Sequence, residues 1–103
     1  MMEVLFLEEA EIELSEAVAY YENICQGLGL DFSNEVKTLI IRLIEMPFLW
    51  VLRDDGTRRV STKKFPYQIV YCVINDVLWI IAVAHHKRFP EYWKERLSFN
   101  PMH

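Results

Sequence analysis

Residues 67–86, YQIVYCVINDVLWIIAVAHH, hold the pattern that decides the fold. Tyr67, Ile69, Tyr71 and Val73 alternate, so they share one side of a strand. Asn75-Asp76 reads as a tight hairpin turn, although the customary glycine is absent. Beyond it, residues 77–86 are apolar on both faces, which suits a central strand buried on both sides or paired along both edges.

Working upstream, residues 57–64 read as a polar strand. A loop at 48–56 precedes them, with Asp54-Asp55-Gly56 as a turn. Pro47 closes an earlier helix in which Phe32, Val36, Leu39, Leu43 and Met46 recur at helical spacing and Ile40 and Ile44 widen the stripe. Asp31 is the residue type that caps such a helix. Before it, Leu14, Val18, Tyr21 and Cys25 form another apolar stripe, extended by Ala10 and Ala17, with glutamates on the wet face. Gly27 and Gly29 are read as the stop of that first helix. Residues 3–7 form a first short strand. Downstream, Pro90 opens a short helix over 91–97, and residues 98–103 are expected to be loose. The order is β-α-α-β-β-β-α. Strands grouped after a helical hairpin predict an α+β fold: an antiparallel sheet of about four strands packed against an N-terminal αα-hairpin, with a short C-terminal helix.

The chain has 103 residues, which suits a single domain spanning 1–103. Apolar residues make up 52% of it, enough for a core without staples. Cys25 and Cys72 lie far apart in sequence, each in an apolar segment, and are expected to be buried reduced thiols. The longest apolar run, at 77–84, is far shorter than the ~20 residues a spanning helix needs. The acidic start Met1-Met2-Glu3 does not fit a signal peptide. A cytoplasmic protein without membrane contact is expected. The net charge of −4 hides an asymmetry. Residues 1–46 carry two basic residues against ten acidic, a net of −8, while 47–103 carry nine against five, a net of +4. An acidic helical layer should back a moderately basic sheet.

An ordered set of pieces spans nearly the whole chain. Arg58-Arg59-Val60 is followed by Phe65-Pro66-Tyr67-Gln68-Ile69-Val70-Tyr71, by Ile81-Ala82-Val83-Ala84-His85-His86-Lys87-Arg88, and by Pro90-Glu91-Tyr92-Trp93 with Arg96. Upstream, Ala17 to Tyr21, Gly29-Leu30-Asp31-Phe32 and Met46-Pro47 belong to the same set. Together they resemble the RelE/ParE superfamily of bacterial type II toxin–antitoxin, or plasmid-stabilisation, proteins, and the ParE-like branch more than the RelE-like one. The resemblance implies a toxin neutralised by a cognate antitoxin. ParE-like members inhibit DNA gyrase and cut nothing, whereas RelE-like members are ribosome-dependent messenger ribonucleases. An inactive fold member that only binds a partner is a further alternative. A homodimer and a toxin–antitoxin heterotetramer are both compatible with the resemblance. An apolar groove beside the sheet or along the helical hairpin should receive an amphipathic antitoxin segment.

Metal-independent RNA cleavage needs a base, an acid and cations around the phosphate. If the chain is RelE-like, the catalytic candidates are Arg59, Lys63, His85, Arg88 and Tyr92. Arg58, Lys64 and Arg96 are candidates for partner or target binding. On an alternating strand Arg59 and Lys63 share the solvent face while Val60 points inward. Tyr67, Tyr71 and Trp79 read as core aromatics, and Trp93 as the anchor of the terminal helix. His85 and His86 point to opposite faces, so they cannot chelate one ion, and no cofactor or metal is expected. Gly27-Leu28-Gly29 follows no strand and is no dinucleotide site.

Overall fold

Asn75 and Asp76 adopt φ of 51° and 64°, the left-handed pair that a two-residue hairpin requires. Asn and Asp are the residues other than glycine that most readily adopt this conformation, because a short polar side chain can bond to the nearby backbone. The hairpin they close is the centre of the sheet. In the computed structural model, which describes residues 2–98, the elements are β1 (Glu3–Phe6), α1 (Glu8–Ile24), α2 (Leu28–Glu45), β2 (Arg58–Ser61), β3 (Tyr67–Ile74), β4 (Val77–His85) and a 3₁₀ turn, Lys94–Ser98. The expected tail from residue 99 onward lies outside the described residues. The strands lie in the order β1-β4-β3-β2. The central strand read at 77–86 is therefore paired on both edges. β3 is antiparallel to both β2 and β4, but β1 runs parallel to β4 because the helical hairpin intervenes where a tight turn would reverse the chain. The α+β class stands, with a mixed, mostly antiparallel sheet.

The hairpin α1–α2 covers one face. Tyr21, Phe32, Val36 and Leu43 pack there against Ile69, Tyr71, Leu78, Ile80 and Val83. The other face buries Val70, Cys72, Ile81, Ala82 and Ala84 beneath Trp93. The alternation switches at one point: Tyr71 pairs with Ile80 but Val70 with Ala82. Ile81 is thus an extra residue, a bulge that turns Ile81 and Ala82 to the same face. No helix is long and apolar enough to cross a membrane among the described residues.

Several local expectations are corrected. Helix α2 begins at Leu28, so Asp31 lies in its first turn and is not its cap. The capping acceptor is Glu22, whose carboxylate receives the amides of Gly27 at 2.9 Å and Gly29 at 3.0 Å. Gly27, at φ 89°, makes the turn. Gly29 is a contact rather than a stop: a Cβ there would lie 2.5 Å from the Val18 carbonyl oxygen. Cys25 is exposed and only Cys72 is buried. The stripe ends before Cys25, whose extended backbone (φ −157°) leaves the helix. β2 stops at Ser61. The Thr62 hydroxyl bonds the Phe65 carbonyl at 2.6 Å, and the Glu35 carboxylate takes the amides of Lys63 and Lys64. No α-helix follows Pro90, because Glu91 sits at φ 59° and only the 3₁₀ turn forms.

β1 is too short to cover β4. The last bond between them runs from Leu7 N–H to the Ile80 carbonyl at 3.0 Å. Beyond it, side chains replace the missing strand. Arg96 Nη1 donates to the Ile81 carbonyl at 3.0 Å, and Val83 N–H donates to Glu13 Oε1 at 3.0 Å. Arg96 grips Glu13 with two parallel bonds, both 2.9 Å, and the Tyr92 hydroxyl donates to Glu13 Oε2.

Replacing Glu13 with alanine strands four donors, so urea unfolding should show a loss of about 3 kcal/mol. A second change, Arg96→Met, should recover part of it, and full additivity would count against this coupling. Burial, followed by the negative charge of Asp55, pushes the Cys72 thiol up to about 11. The unfolded chain therefore ionises first, and this residue's contribution to stability should fade as pH rises from about 9 towards 11. A thiol reagent at neutral pH should label Cys25 rapidly and Cys72 only on unfolding, which counting modified thiols with and without denaturant would show.

Candidate functional site

The basic candidates start on β2, where alternation separates them. Val60 is buried under the helices, so Arg58 and Arg59 leave by opposite faces or edges of the strand. Arg58 turns back onto the loop before it. Its Nη1 donates to the Trp50 carbonyl at 2.6 Å, and its guanidinium lies 5.2 Å from the Phe48 ring centroid. Arg59 lies over Trp93, 4.8 Å from the ring, with Asp55 at 3.8 Å and Glu91 at 4.0 Å. The solvent face expected for Arg59 is thus roofed by the C-terminal segment. Burial acts to raise the Asp55 carboxyl, but the hydroxyl and amide of Thr57 and the Arg59 charge outweigh it and hold it below the usual range.

At the far end of β4, His85 meets the Tyr67 ring edge-on at 5.0 Å and accepts the Lys87 amide on Nδ1 at 3.0 Å. In the neutral ring that bond leaves the proton on Nε2. Arg88 stacks on Tyr92 at 3.9 Å. Burial, then the bond to Glu13 and its negative charge, push the Tyr92 phenol far above its ordinary value. Its proton is held by Glu13. The same carboxylate raises Arg96, chiefly through their hydrogen bonds.

Four of the five catalytic candidates share one place. Arg59, His85, Arg88 and Tyr92 line a cleft of about 110 Å³ between the sheet and the C-terminal segment. Lys63 does not join them. With Lys64 it lines a separate hollow of about 380 Å³ beside α2, because β2 ends before reaching either lysine. Gln68 and His86 also line the cleft, and Ser61 Oγ lies 3.5 Å from His86 Nε2. Gln68 and Ser61 are not singled out by the sequence, and His86, expected on the face opposite His85, lines the same cleft with it because the strand ends at His85. Gln68 carried a readable signal: it is the one polar residue on its face of β3, beside Val70, Cys72 and Ile74. Glu13 carried none, since its partners lie 70 to 83 residues away. A second cavity of about 450 Å³ joins α1 to the end of β4 through Glu13, Glu16, Tyr20, Tyr67, His85 and Arg88. Among the described residues no cluster of three His, Cys, Asp or Glu could hold a metal ion.

Of the two arginines in the cleft, Arg59 is already paired with Asp55 and Glu91, whereas Arg88 has no ion pair among the described residues. The cleft is poorly disposed for proton transfer through Tyr92, whose hydroxyl is bonded and whose phenol is hard to ionise.

The comparisons with known proteins agree with the fold. A solved structure described as "Chromosomal ParDE TA system from P. aeruginosa" superposes with a TM-score of 0.71 at 13% sequence identity, covering 82% of this chain and 96% of that one. No curated protein matches by sequence search. The model of the family described as the ParE toxin of the type II toxin–antitoxin system, parDE, matches residues 4–90. That span takes in the helical hairpin and all of the mixed sheet but Glu3, stopping short of the C-terminal turn, and the chain belongs to the ParE toxin family.

Proposed function

We propose that this protein is a growth-inhibiting toxin that acts on DNA gyrase and is held inactive by a cognate antitoxin. The observation that carries the choice of target is the internal engagement of most of the catalytic and target-binding candidates. Arg58 holds backbone carbonyls, Arg59 stacks under Trp93, and Tyr92 and Arg96 are bound to Glu13. Lys63 lies in a different hollow. A ribosome-dependent nuclease needs such groups free to meet a phosphate and a 2′-hydroxyl. A toxin that works by binding needs only a rigid surface. The structure of these groups supports the second kind.

A ribonuclease reading retains one supporting feature, the shared cleft of Arg59, His85 and Arg88. The two readings separate in paired assays. Purified protein should inhibit gyrase in a supercoiling assay while a reporter message stays intact in a translating extract. The Arg88→Ala variant should leave the message equally intact. Ribosome-dependent cleavage that disappears in Arg88→Ala would replace gyrase as the target. Induced expression without an antitoxin should arrest growth, and unchanged growth would point to an inactive binding member.

A further inference from the structure

Neither reading of the target gives a use to the cavity of about 450 Å³ between α1 and the end of β4. Its floor is apolar and closed: Ala17 on α1 is 4% exposed and Val83 on β4 is 2% exposed. Two phenol rings stand beside that floor. Tyr67 comes from β3 and meets His85 edge-on, while Tyr20 comes from α1 and is largely exposed. Aromatic walls, an apolar floor and a few polar groups are the usual make-up of a small-ligand site.

The unpaired charges of the cavity come one of each sign. Glu13, Glu16 and Arg88 line it. Glu13 is spent on Arg96, Tyr92 and the Val83 amide. Glu16 and Arg88 are exposed, and neither has an ion pair among the described residues. Glu16 belongs to α1 and Arg88 to the segment after β4, so the cavity lies between them. Stacking on Tyr92 at 3.9 Å holds the Arg88 guanidinium in place before any ligand arrives. His85 adds a neutral donor, its Nε2–H, because Nδ1 accepts the Lys87 amide. An anionic acceptor at one end and donors at the other match a ligand that carries both charges and no net charge.

Size selects within that class. Taken as a sphere, a space of this volume is about 9 Å across. In a free α-amino acid the ammonium nitrogen and the carboxylate lie roughly 3 Å apart, and a hydrogen bond of about 3 Å at each end brings the span to about 9 Å. A nucleotide would suit the rings but not the charges, since its phosphate dianion would lie near Glu13 and Glu16.

We propose that this cavity binds a free aromatic α-amino acid, its ammonium on Glu16, its carboxylate on Arg88 and His85, and its ring against Tyr20 and Tyr67. Both polar ends are then charge-assisted hydrogen bonds, and the ring adds the offset or edge-on contacts that aromatic pairs prefer. An internal residue of a protein partner cannot take its place, because its amide nitrogen and carbonyl carry neither charge. The site takes nothing from the choice of gyrase or message as target.

The probe is L-phenylalanine, added to the full chain and followed by amide chemical shifts. Saturable shifts should centre on Glu16, Ala17, Tyr20, Val83 and His85, with half-saturation at about 1 mM. Phenethylamine, which lacks the carboxylate, and hydrocinnamate, which lacks the ammonium, should each bind about tenfold more weakly. The acetylated amide of phenylalanine should not bind. Glu16→Gln should weaken phenylalanine by about tenfold yet not weaken hydrocinnamate, and Arg88→Ala should weaken phenylalanine as much yet not weaken phenethylamine. Both side chains are exposed and unpaired, so neither change should move the thermal unfolding midpoint. The proposal is overturned by the absence of saturable shifts, by shifts centred elsewhere, or by equal binding of the acetylated amide. It is overturned as well by either variant binding phenylalanine as the unaltered chain does, or by guanosine monophosphate binding more tightly than phenylalanine. Binding is read on the protein itself, so this site can fail while gyrase inhibition stands, and the reverse.

Discussion

Glu13 receives four hydrogen bonds on one carboxylate, and the rest of the molecule is arranged around that fact. The origin is geometric. A first strand of four residues cannot cover a nine-residue neighbour. Buried backbone groups left bare on β4 would each cost free energy comparable to a lost hydrogen bond. Glu13 on α1 supplies the missing acceptor and Arg96 beyond the sheet the missing donor. By doing so they tie three parts of the chain that share no local contact. The helix is fixed to the sheet, the C-terminal segment is wrapped around its edge, and Trp93 is brought down over the second core.

That same closure decides what the cations can do. A guanidinium that grips a carboxylate and a carbonyl while packed behind an aromatic ring is a structural fastener. Arg96 is one, and Arg58 and Arg59 work similarly at the other end of the sheet. The basic pattern common to this superfamily therefore survives here without the freedom that phosphate chemistry needs. Arg88 is different, since it lies over Tyr92 and lines both the small cleft and the larger cavity beside α1. Together with His85 it is the part of the cleft best placed to meet a ligand or target.

Periodicity made the fold legible. The alternation of Tyr67, Ile69, Tyr71 and Val73, the Asn75-Asp76 turn and the two helical stripes all correspond to observed elements. Elements failed where a distant side chain intervened. Asp31 was a reasonable cap by type, but Glu22 reached the helix terminus first. The polar run 57–64 looked like one strand until Glu35 captured the amides at its end. That single capture is also why Lys63 and Arg59, a two-by-two pair on an ideal strand, lie on different surfaces. The bulge at Ile81 was hidden because both faces of β4 are apolar, so no alternation existed to break. Glu13 was read as one of several wet-face glutamates, and nothing local distinguishes it from Glu16.

The charge asymmetry changes meaning in the same light. Of the ten acidic residues in 1–46, Glu13, Glu22 and Glu35 accept from backbone amides and so serve as acceptors for turns and edges. Their charge is local and partly neutralised by the groups they bind. In the basic half Arg58, Arg59 and Arg96 are engaged in turn. The net charge of −4 thus sums internal fasteners with free surface groups, and only the latter set the field that a partner meets. Beside β2 the balance reverses: Glu35 is occupied by the amides of Lys63 and Lys64, while Arg42 and Lys63 have no ion pair among the described residues. A chain that is acidic overall thus carries a locally cationic surface, which its isoelectric point alone does not reveal.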